Sequence, residues 1–263
     1  MHASQADTPH VLREDRDGVA TLTLNRGERF NPLSEEMLAA LQAQVAAIAA
    51  DDSVRVVVLA AQGRAFCAGH DLKQMRASPS AAYYKKLFDQ CSKLMLAIQQ
   101  MPQPVIARVQ GIATAAGCQL VAMCDLAVAS TDAKFAVSGV NYGLFCSTPS
   151  VALSRNVPRK QAMEMLLTGD FIDAGTARER GLVNRVVAPE ALDDEVASLV
   201  ASIVAKPAVA VAMGKQMFYR QAEMGIAAAY QLAGETMACN MMDEAALEGV
   251  QAFIDKRKPD WKR

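Results

Sequence analysis

Over its first two-thirds the chain alternates short apolar runs with longer amphipathic stretches. Residues 18–24 alternate apolar and polar side chains and end at a turn over residues 25–27, which predicts a half-buried strand. Nearly continuous apolar runs follow at residues 54–60, 105–109 and 126–129, interrupted only by Arg55 and Arg108. Such runs are typical of strands that are covered on both faces.

Helices are predicted between these strands and throughout the last third of the chain. Ser34 is suited to cap a helix that runs to about residue 50, since Leu38, Val45 and Ile48 share one face. A helix is also predicted around Gln119, and further helices at residues 79–100, 160–168, 173–180, 189–204, 208–223, 226–240 and 243–255. Strands that alternate with helices, followed by helices alone, predict an α/β core with a helical C-terminal region.

The composition narrows the class of protein. Of the 263 residues 52% are hydrophobic but only 5% aromatic, which indicates an aliphatic core. The net charge is −1 and the basic residues are scattered, so a nucleic-acid partner is not expected. The six cysteines show no C-x-x-C spacing and are expected to be reduced and buried. Two of the three histidines are His2 and His10, near the N-terminus, so no metal site is predicted.

The distribution of charge along the chain also bears on location. No apolar run reaches the roughly 18 residues that a membrane-spanning helix needs. The first 17 residues carry acidic side chains and no apolar segment, which argues against a secretory signal and against an Arg-rich transit peptide. The sequence therefore predicts a cytoplasmic protein without a membrane span.

Two loops, residues 66–72 and 115–119, follow buried strands and carry the candidate chemistry. The free N–H groups at the start of a helix, together with one from the other loop, would hold a carbonyl oxygen. The alternative is that both are tight turns in which small residues serve packing alone, and spacing does not decide between the two. Gln119 stands where acyl chemistry would use a carboxylate, and an amide does not exchange protons near neutral pH.

Several motifs resemble those of the enoyl-CoA hydratase/isomerase (crotonase) family. The most specific is the loop Phe66-Cys67-Ala68-Gly69-His70-Asp71-Leu72. Similar stretches lie in collinear order at residues 24–34, 104–129, 162–169, 177–183 and 253–259, and the similarity covers about residues 15–262. The triplet Gly69-His70-Asp71 also resembles the subgroup called enoyl-CoA hydratase domain-containing protein 3.

The resemblance implies an α/β fold, a crotonase-type spiral of ββα units with a C-terminal helical trimerisation region. It divides the chain into a flexible tail at residues 1–16, a core with an acyl-CoA site at 17–200, and a helical oligomerisation region at 201–263. It also implies a homotrimer or a dimer of trimers, with a lyase-type role in fatty acid metabolism.

The resemblance assigns roles to particular positions. The backbone N–H groups of His70 and Ala116 would hold the thioester oxygen of an acyl-CoA and stabilise an enolate. Contacts to the substrate are expected from Ala68, Asp71, Leu72 and Lys73, with Phe253 and Lys256 reaching the ligand of a neighbouring subunit. Coenzyme A is then part of the substrate, and no separate cofactor is implied.

The chain departs from the family where hydratases carry two glutamates as acid and base. Those positions hold Gln119 and Gly139, and a third carboxylate position of related isomerases holds Ser147. Residues 135–149 contain no Asp or Glu under any alignment. The sequence thus indicates a hydratase-like acyl-CoA protein without the usual acid and base. Thioester hydrolysis, decarboxylation and acyl-CoA binding without catalysis remain open as alternatives.

Few other side chains are candidates to replace the missing acids. His70 has a pKa suited to proton transfer, although a packing role is favoured. Cys118 and Cys146 would be nucleophiles only if their thiolates were stabilised, and inert buried thiols are the expectation. Asp125 is expected to be structural and Asp71 to position its own loop. Four more polar side chains could orient a water without titrating: Asn141, Tyr142, Ser147 and Thr148.

Overall fold

The protein was analysed as a computed structural model that describes residues 8–77 and 79–261, in which the strands form two sheets. The larger sheet has the spatial order β1 (Val11–Arg16), β2 (Val19–Leu24), β3 (Val56–Ala61), β5 (Val105–Val109), β7 (Leu126–Ser130) and β10 (Arg185–Val187). The smaller sheet has the order β4 (Ala65–Cys67), β6 (Ile112–Thr114), β8 (Lys134–Ala136) and β9 (Ile172–Asp173). Neighbouring strands are parallel except β1 on β2 and β9 on β8.

Helices follow the strands and then make up the last third of the chain. They are α1 (Glu35–Ala49), α2 (Leu72–Ala77), α3 (Ala81–Gln100), α4 (Ala116–Met123), α5 (Ser147–Asn156), α6 (Arg159–Thr168), α7 (Ala174–Glu179), α8 (Leu192–Val204), α9 (Ala208–Ala222), α10 (Ile226–Met241) and α11 (Glu244–Ile254). Successive passages run through the large sheet, the small sheet and then a helix, as in β5-β6-α4. The predicted spiral of ββα units with a helical C-terminal region is confirmed.

The buried pattern of these elements agrees with the sequence periodicity. All six residues of β3 are buried, as expected for a continuously apolar strand between covered faces. Helix α1 begins after Ser34, whose hydroxyl accepts a hydrogen bond from the Met37 amide at 3.2 Å. On the opposite face of the large sheet, Leu192 and Val196 of α8 complete a second, smaller apolar cluster.

The bounds of two elements do not coincide with the predicted domain boundaries. Strand β1 lies inside the segment expected to be a tail, and it pairs with β2 along its whole length. Its sequence escaped detection because only Val11 is buried in this edge strand. Residues 1–7, including His2, lie outside the described part of the chain. At the other end, a boundary at residue 200 would cut α8, which packs on the core.

Short elements were also missed by sequence periodicity. Strands β4, β6 and β8 have three residues each, too few to display an alternating pattern. Helix α5 begins at Ser147, in a segment for which the sequence periodicity predicts no helix. Pro149 is compatible with the first turn of α5, because the N–H groups of a first turn have no intrahelical acceptor and proline lacks an N–H.

A buried ion pair fastens α9 to the core. Lys215 Nζ lies 2.7 Å from Asp125 Oδ2 and donates to the carbonyl oxygens of Ile98 and Gln103 at 2.9 and 2.8 Å. Asp125 also accepts from the Tyr219 hydroxyl at 2.9 Å. Burial lowers the pKa of Lys215, and the Asp125 carboxylate opposes that shift. Asp125 is therefore structural, as the sequence predicted.

Beyond this anchor the C-terminal helices leave large apolar side chains exposed. Ile226, Met242 and Phe253 are 77%, 77% and 84% exposed. Among the described residues no single helix has the length and hydropathy of a membrane span. The segments Pro189–Val204 and Ala208–Ala222 meet those criteria only as a pair, with a 102° bend between them.

We expect Lys215→Met to lower the free energy of unfolding by about 3–5 kcal/mol, because it leaves the Asp125 carboxylate buried without its cation. Denaturant titration followed by circular dichroism measures the change. Arg16→Met is the matched control, since Arg16 and Asp17 are 84% and 89% exposed and such a pair contributes less than about 1 kcal/mol. Equal effects of the two substitutions would show that the buried pair does not anchor α9.

Candidate active site

A cavity of about 670 Å³ lies beside the ends of β4 and β6. It brings together most of the positions that the sequence singled out: Ala68, His70, Asp71, Leu72, Lys73, Ala116 and Gly139. Gln119, Phe253 and Lys256 are not among its lining residues. A smaller crevice of about 260 Å³, between the 102–104 segment and α9, contains none of the predicted site residues.

The two candidate loops touch because they carry glycine where they meet. A Cβ on Gly117 would lie 2.1 Å from the Cys67 carbonyl oxygen, so only glycine lets α4 start this close to β4. Gly69 has φ +87°, and a Cβ there would lie 3.2 Å from the Ala116 nitrogen. The backbones at His70 and Ala116 are thereby held side by side.

Asn31 anchors the chain immediately before the first loop, a role that sequence reasoning did not assign. It is fully buried, and its side chain accepts from the Arg26 amide and donates to the carbonyl oxygens of Gln62 and Ala65 at 2.8–3.0 Å. The next residues continue the attachment, since the Leu33 amide donates to the Gly69 oxygen at 2.8 Å. In the sequence this role is marked only by the Asn31-Pro32-Leu33-Ser34 motif. The hydrogen bonds that Asn31 and Leu33 make become evident only when their partners are known.

The second loop carries local backbone strain. Ala115 has φ +51° and ψ −121°, a conformation that L-residues with a Cβ rarely adopt and that costs about 1–3 kcal/mol. Its amide donates to the Ala136 oxygen at 3.0 Å, and its carbonyl accepts from the Gln119 amide. Ala116 then opens α4, where the first N–H groups lack intrahelical acceptors. The strained turn therefore presents a helix start to the cavity.

The His70 side chain is turned toward protein groups. Nδ1 lies 3.3 Å from the Leu33 carbonyl oxygen, which requires the proton on Nδ1, and the ring centroid is 5.5 Å from that of Phe88. Burial lowers the pKa of His70, so the imidazole is neutral at pH 7. Nε2 is buried and has no partner among the described residues. With the proton on Nδ1, the imidazole contacts the Leu33 oxygen and the Phe88 ring, and its lone pair is on Nε2.

Gly139 and Gln119, the positions at which the family resemblance places the two acids, differ in the space beside each residue. A Cβ on Gly139 would lie 2.4 Å from the Leu144 oxygen and 2.8 Å from Cys146 Sγ, so the loop that follows occupies the space of a side chain. Gln119 is buried on α4, and its Oε1 has no partner in the described part of the chain. Neither position offers a group that titrates near neutral pH.

The cysteines near the cavity are poor nucleophiles. Burial raises the pKa of Cys118 to about 12. Burial also raises the pKa of Cys146, whose sulfur accepts from the Gly139 amide at 3.3 Å. Both thiols are therefore protonated near neutral pH, as an inert role requires.

One edge of the cavity is charged. Asp71 accepts from the amides of Lys73 and Gln74 at 2.9 and 3.2 Å, which caps the start of α2, and it pairs with Arg29 at 3.1 Å. Asp71 thus positions its own loop, as predicted. Lys73 is exposed at the same edge.

A hydroxyl pair in the cavity wall was missed as a unit by sequence reasoning. Thr114 Oγ1 and Ser138 Oγ are 2.9 Å apart, and both residues line the cavity. The residues are 24 positions apart in sequence, so no local motif marks them. The parallel pairing of β6 with β8 brings them together.

Comparison with known proteins gives consistent similarities. The family model described as enoyl-CoA hydratase/isomerase matches residues 14–263. A solved structure described as an enoyl-CoA hydratase of Mycobacterium smegmatis has a TM-score of 0.96 and 67% identity, and the match covers 97% of this chain and 99% of that one. The human enoyl-CoA hydratase domain-containing protein 3 structure has a TM-score of 0.93 and 42% identity, with coverage of 96% and 100%.

The curated relatives correct one expectation. A Xenopus laevis protein named enoyl-CoA hydratase domain-containing protein 3, mitochondrial, is 45% identical over 97% of this chain and 86% of its own length. Matching rat, mouse and human proteins carry the same name. These names contradict the cytoplasmic location that was inferred from the N-terminal sequence. The acidic residues near the start of this chain are therefore not a sufficient basis for predicting its location.

We expect Gly117→Ala to lower the free energy of unfolding by about 1–3 kcal/mol, because its Cβ would overlap the Cys67 carbonyl oxygen. Gly234→Ala is the control, since Gly234 lies in α10 with nothing within 4 Å of an added Cβ. There the same change should stabilise by about 0.5–1 kcal/mol through helix propensity. Thermal unfolding compares the two, and a neutral or stabilising Gly117→Ala would refute the close contact between the loops.

Proposed function

Because this chain belongs to the enoyl-CoA hydratase/isomerase family, we propose that it binds an acyl-CoA thioester in the cavity beside β4 and β6. The thioester oxygen accepts hydrogen bonds from the backbone N–H groups of His70 and Ala116. The observation that carries the proposal is the contact between the two loops, where a Cβ on Gly69 would lie 3.2 Å from the Ala116 nitrogen. Two N–H groups held this near each other suit one developing oxyanion.

The remainder of the ligand would extend along the charged edge of the cavity. Ala68, Asp71, Leu72 and Lys73 line the cavity in sequence order next to the His70 donor. Lys73 supplies a cation for a phosphate, while Asp71 holds the loop through its bonds to the start of α2. Coenzyme A is in this proposal the carrier portion of the substrate.

The proposed activity is hydratase-like in binding and in thioester polarisation, without the paired glutamates. Each such acid or base contributes roughly 10²–10⁴-fold to proton transfer. Gln119 and Gly139 stand at those positions, and the space at Gly139 is closed by Leu144 and Cys146. Ordinary hydration of an enoyl thioester is therefore expected to be slow.

The second candidate is a reaction that needs the polarised thioester but no carboxylate base, such as hydrolysis by an ordered water or decarboxylation. The neutral hydroxyls of Ser147 and Thr148 in the cavity wall favour it, since they orient water without titrating. Binding of acyl-CoA without turnover is the third possibility, and it uses the same backbone donors.

The exposed C-terminal helices support a homotrimer or a dimer of trimers. Phe253, Met242 and Ile226 would be covered in such an assembly, since single chains rarely leave so large an apolar surface in water. Phe253 and Lys256 lie outside the cavity of their own chain, which suits contacts with the ligand of a neighbouring subunit.

The proposal is tested by measuring binding and turnover separately. We expect butyryl-CoA to bind in isothermal titration calorimetry while hydration of crotonyl-CoA stays near background. Gln119→Glu should leave hydration low, because one carboxylate cannot replace the pair and the position of the second is closed at Gly139. Ser150→Ala, a surface substitution outside the cavity, is the control for handling and folding.

The outcomes separate the candidates. Absence of binding by any acyl-CoA would refute the proposed site. Rapid hydration by the wild-type protein would show that a base other than the two glutamates operates. Turnover of other thioesters with slow hydration would favour hydrolysis or decarboxylation.

A further inference from the structure

The Thr114–Ser138 hydroxyl pair is placed close to the proposed thioester position. Thr114 ends β6, two residues before Ala116, and Ser138 opens the turn Ser138–Tyr142. Two residues of extended backbone span at most about 7 Å. A group bound by the pair therefore lies near the first few carbons of an acyl chain whose thioester oxygen is held at Ala116.

The pair has unused hydrogen-bonding capacity. Each hydroxyl has one donor and two acceptor positions, and the contact of 2.9 Å between them uses one donor and one acceptor. No other hydrogen bond of either side chain occurs within the described residues. One donor and three acceptor positions remain, and both residues are only half-buried.

The other residues that line the cavity do not account for the unfilled hydrogen-bonding positions of Thr114 and Ser138. The same cavity is also lined by the apolar side chains of Met75, Phe88, Leu144 and Phe145. A third hydroxyl of the wall, on Ser147, already donates to the Phe145 oxygen at 3.4 Å. A purely hydrocarbon acyl chain in this space would leave the remaining donor and acceptor positions of the hydroxyl pair unfilled, which is unfavourable once water is excluded.

We propose that Thr114 and Ser138 are specificity-determining residues that select acyl groups carrying an oxygen substituent near the thioester, of the 3-hydroxyacyl class. A hydroxyl on that carbon accepts from the free donor of the pair and donates to one of its open acceptors. The inference rests on the proposed function, since it needs an acyl-CoA in this cavity. Neither hydroxyl titrates near neutral pH, so the selection is independent of pH between about 6 and 9.

The experiment compares two thioesters that differ by one oxygen. Isothermal titration calorimetry measures Kd for butyryl-CoA and for each enantiomer of 3-hydroxybutyryl-CoA, with the wild-type protein and with Thr114→Val, Ser138→Ala and the double variant. We expect one enantiomer to bind the wild-type protein about 2- to 12-fold more tightly than butyryl-CoA, as one net hydrogen bond allows. In the double variant the ratio should fall to about one, with Kd for butyryl-CoA little changed.

The double variant removes both partners together, so it leaves no newly unpaired group and is expected to fold. Ser150→Ala is the matched control, because its hydroxyl bonds to the Ser147 oxygen and the residue does not line the cavity. It should keep the wild-type ratio of Kd values.

Each other result overturns the inference in a recognisable way. Equal wild-type affinity for the two thioesters, or a ratio that survives in the double variant, refutes the specificity role while the acyl-CoA site stands. Equal weakening of both thioesters together with a lower Tm would assign the pair to structure alone. Failure of both thioesters to bind the wild-type protein would refute the proposed function itself.

Discussion

The cavity depends on the closeness of two backbones that are 50 residues apart: the end of β4 at Cys67 and the start of α4 at Gly117. With no room for a Cβ between the Cys67 oxygen and Gly117, any larger residue would push the helix start away from the His70 loop. The Asn31 side chain bonds to Gln62 and Ala65 just before that loop, and the loop itself is held by backbone bonds from the Leu33 amide to the Gly69 oxygen and from the Ala68 amide to the Phe30 oxygen. The strained φ of Ala115 is then imposed by its surroundings, since β8, α4 and the loop at Gly69 all contact the same turn.

Gly139 and Gln119, where the resemblance to the family places an acid and a base, differ in the space beside them as well as in their chemistry. At Gly139 the backbone of Leu144 and the sulfur of Cys146 fill the space beside the Cα. At Gln119 an amide is buried, its oxygen has no partner within residues 8–77 and 79–261, and the neutral His70 bonds to Leu33. The cavity is lined by the hydroxyl-bearing residues Thr114 and Ser138 and by the charged residues Asp71 and Lys73. Under the proposed function, such a site would hold and polarise a ligand oxygen more than it would move protons.

The C-terminal helices α9 to α11 are attached to the core less extensively than the preceding elements. One buried ion pair, Lys215 with Asp125, fastens α9, and α10 and α11 continue with few buried side chains. A buried charge pair fixes where a helix attaches even where it adds little net stability, because any other arrangement leaves one charge buried without its partner. The apolar surface of the last helices therefore stays available at a defined position relative to the cavity.

The sequence by itself determined the strands that are apolar throughout, such as β3, and the helices whose faces or caps are explicit, such as α1 after Ser34. It also located both candidate loops and the absence of acids between residues 135 and 149. Strand β1, the three-residue strands and α5 were not predicted, because their signals are too short or too polar to stand out from a turn. Only the tertiary structure joined Thr114 to Ser138, closed the space at Gly139, and paired Lys215 with Asp125. Those contacts depend on the distance between residues far apart in the chain, and periodicity and local propensity carry no information about such distances.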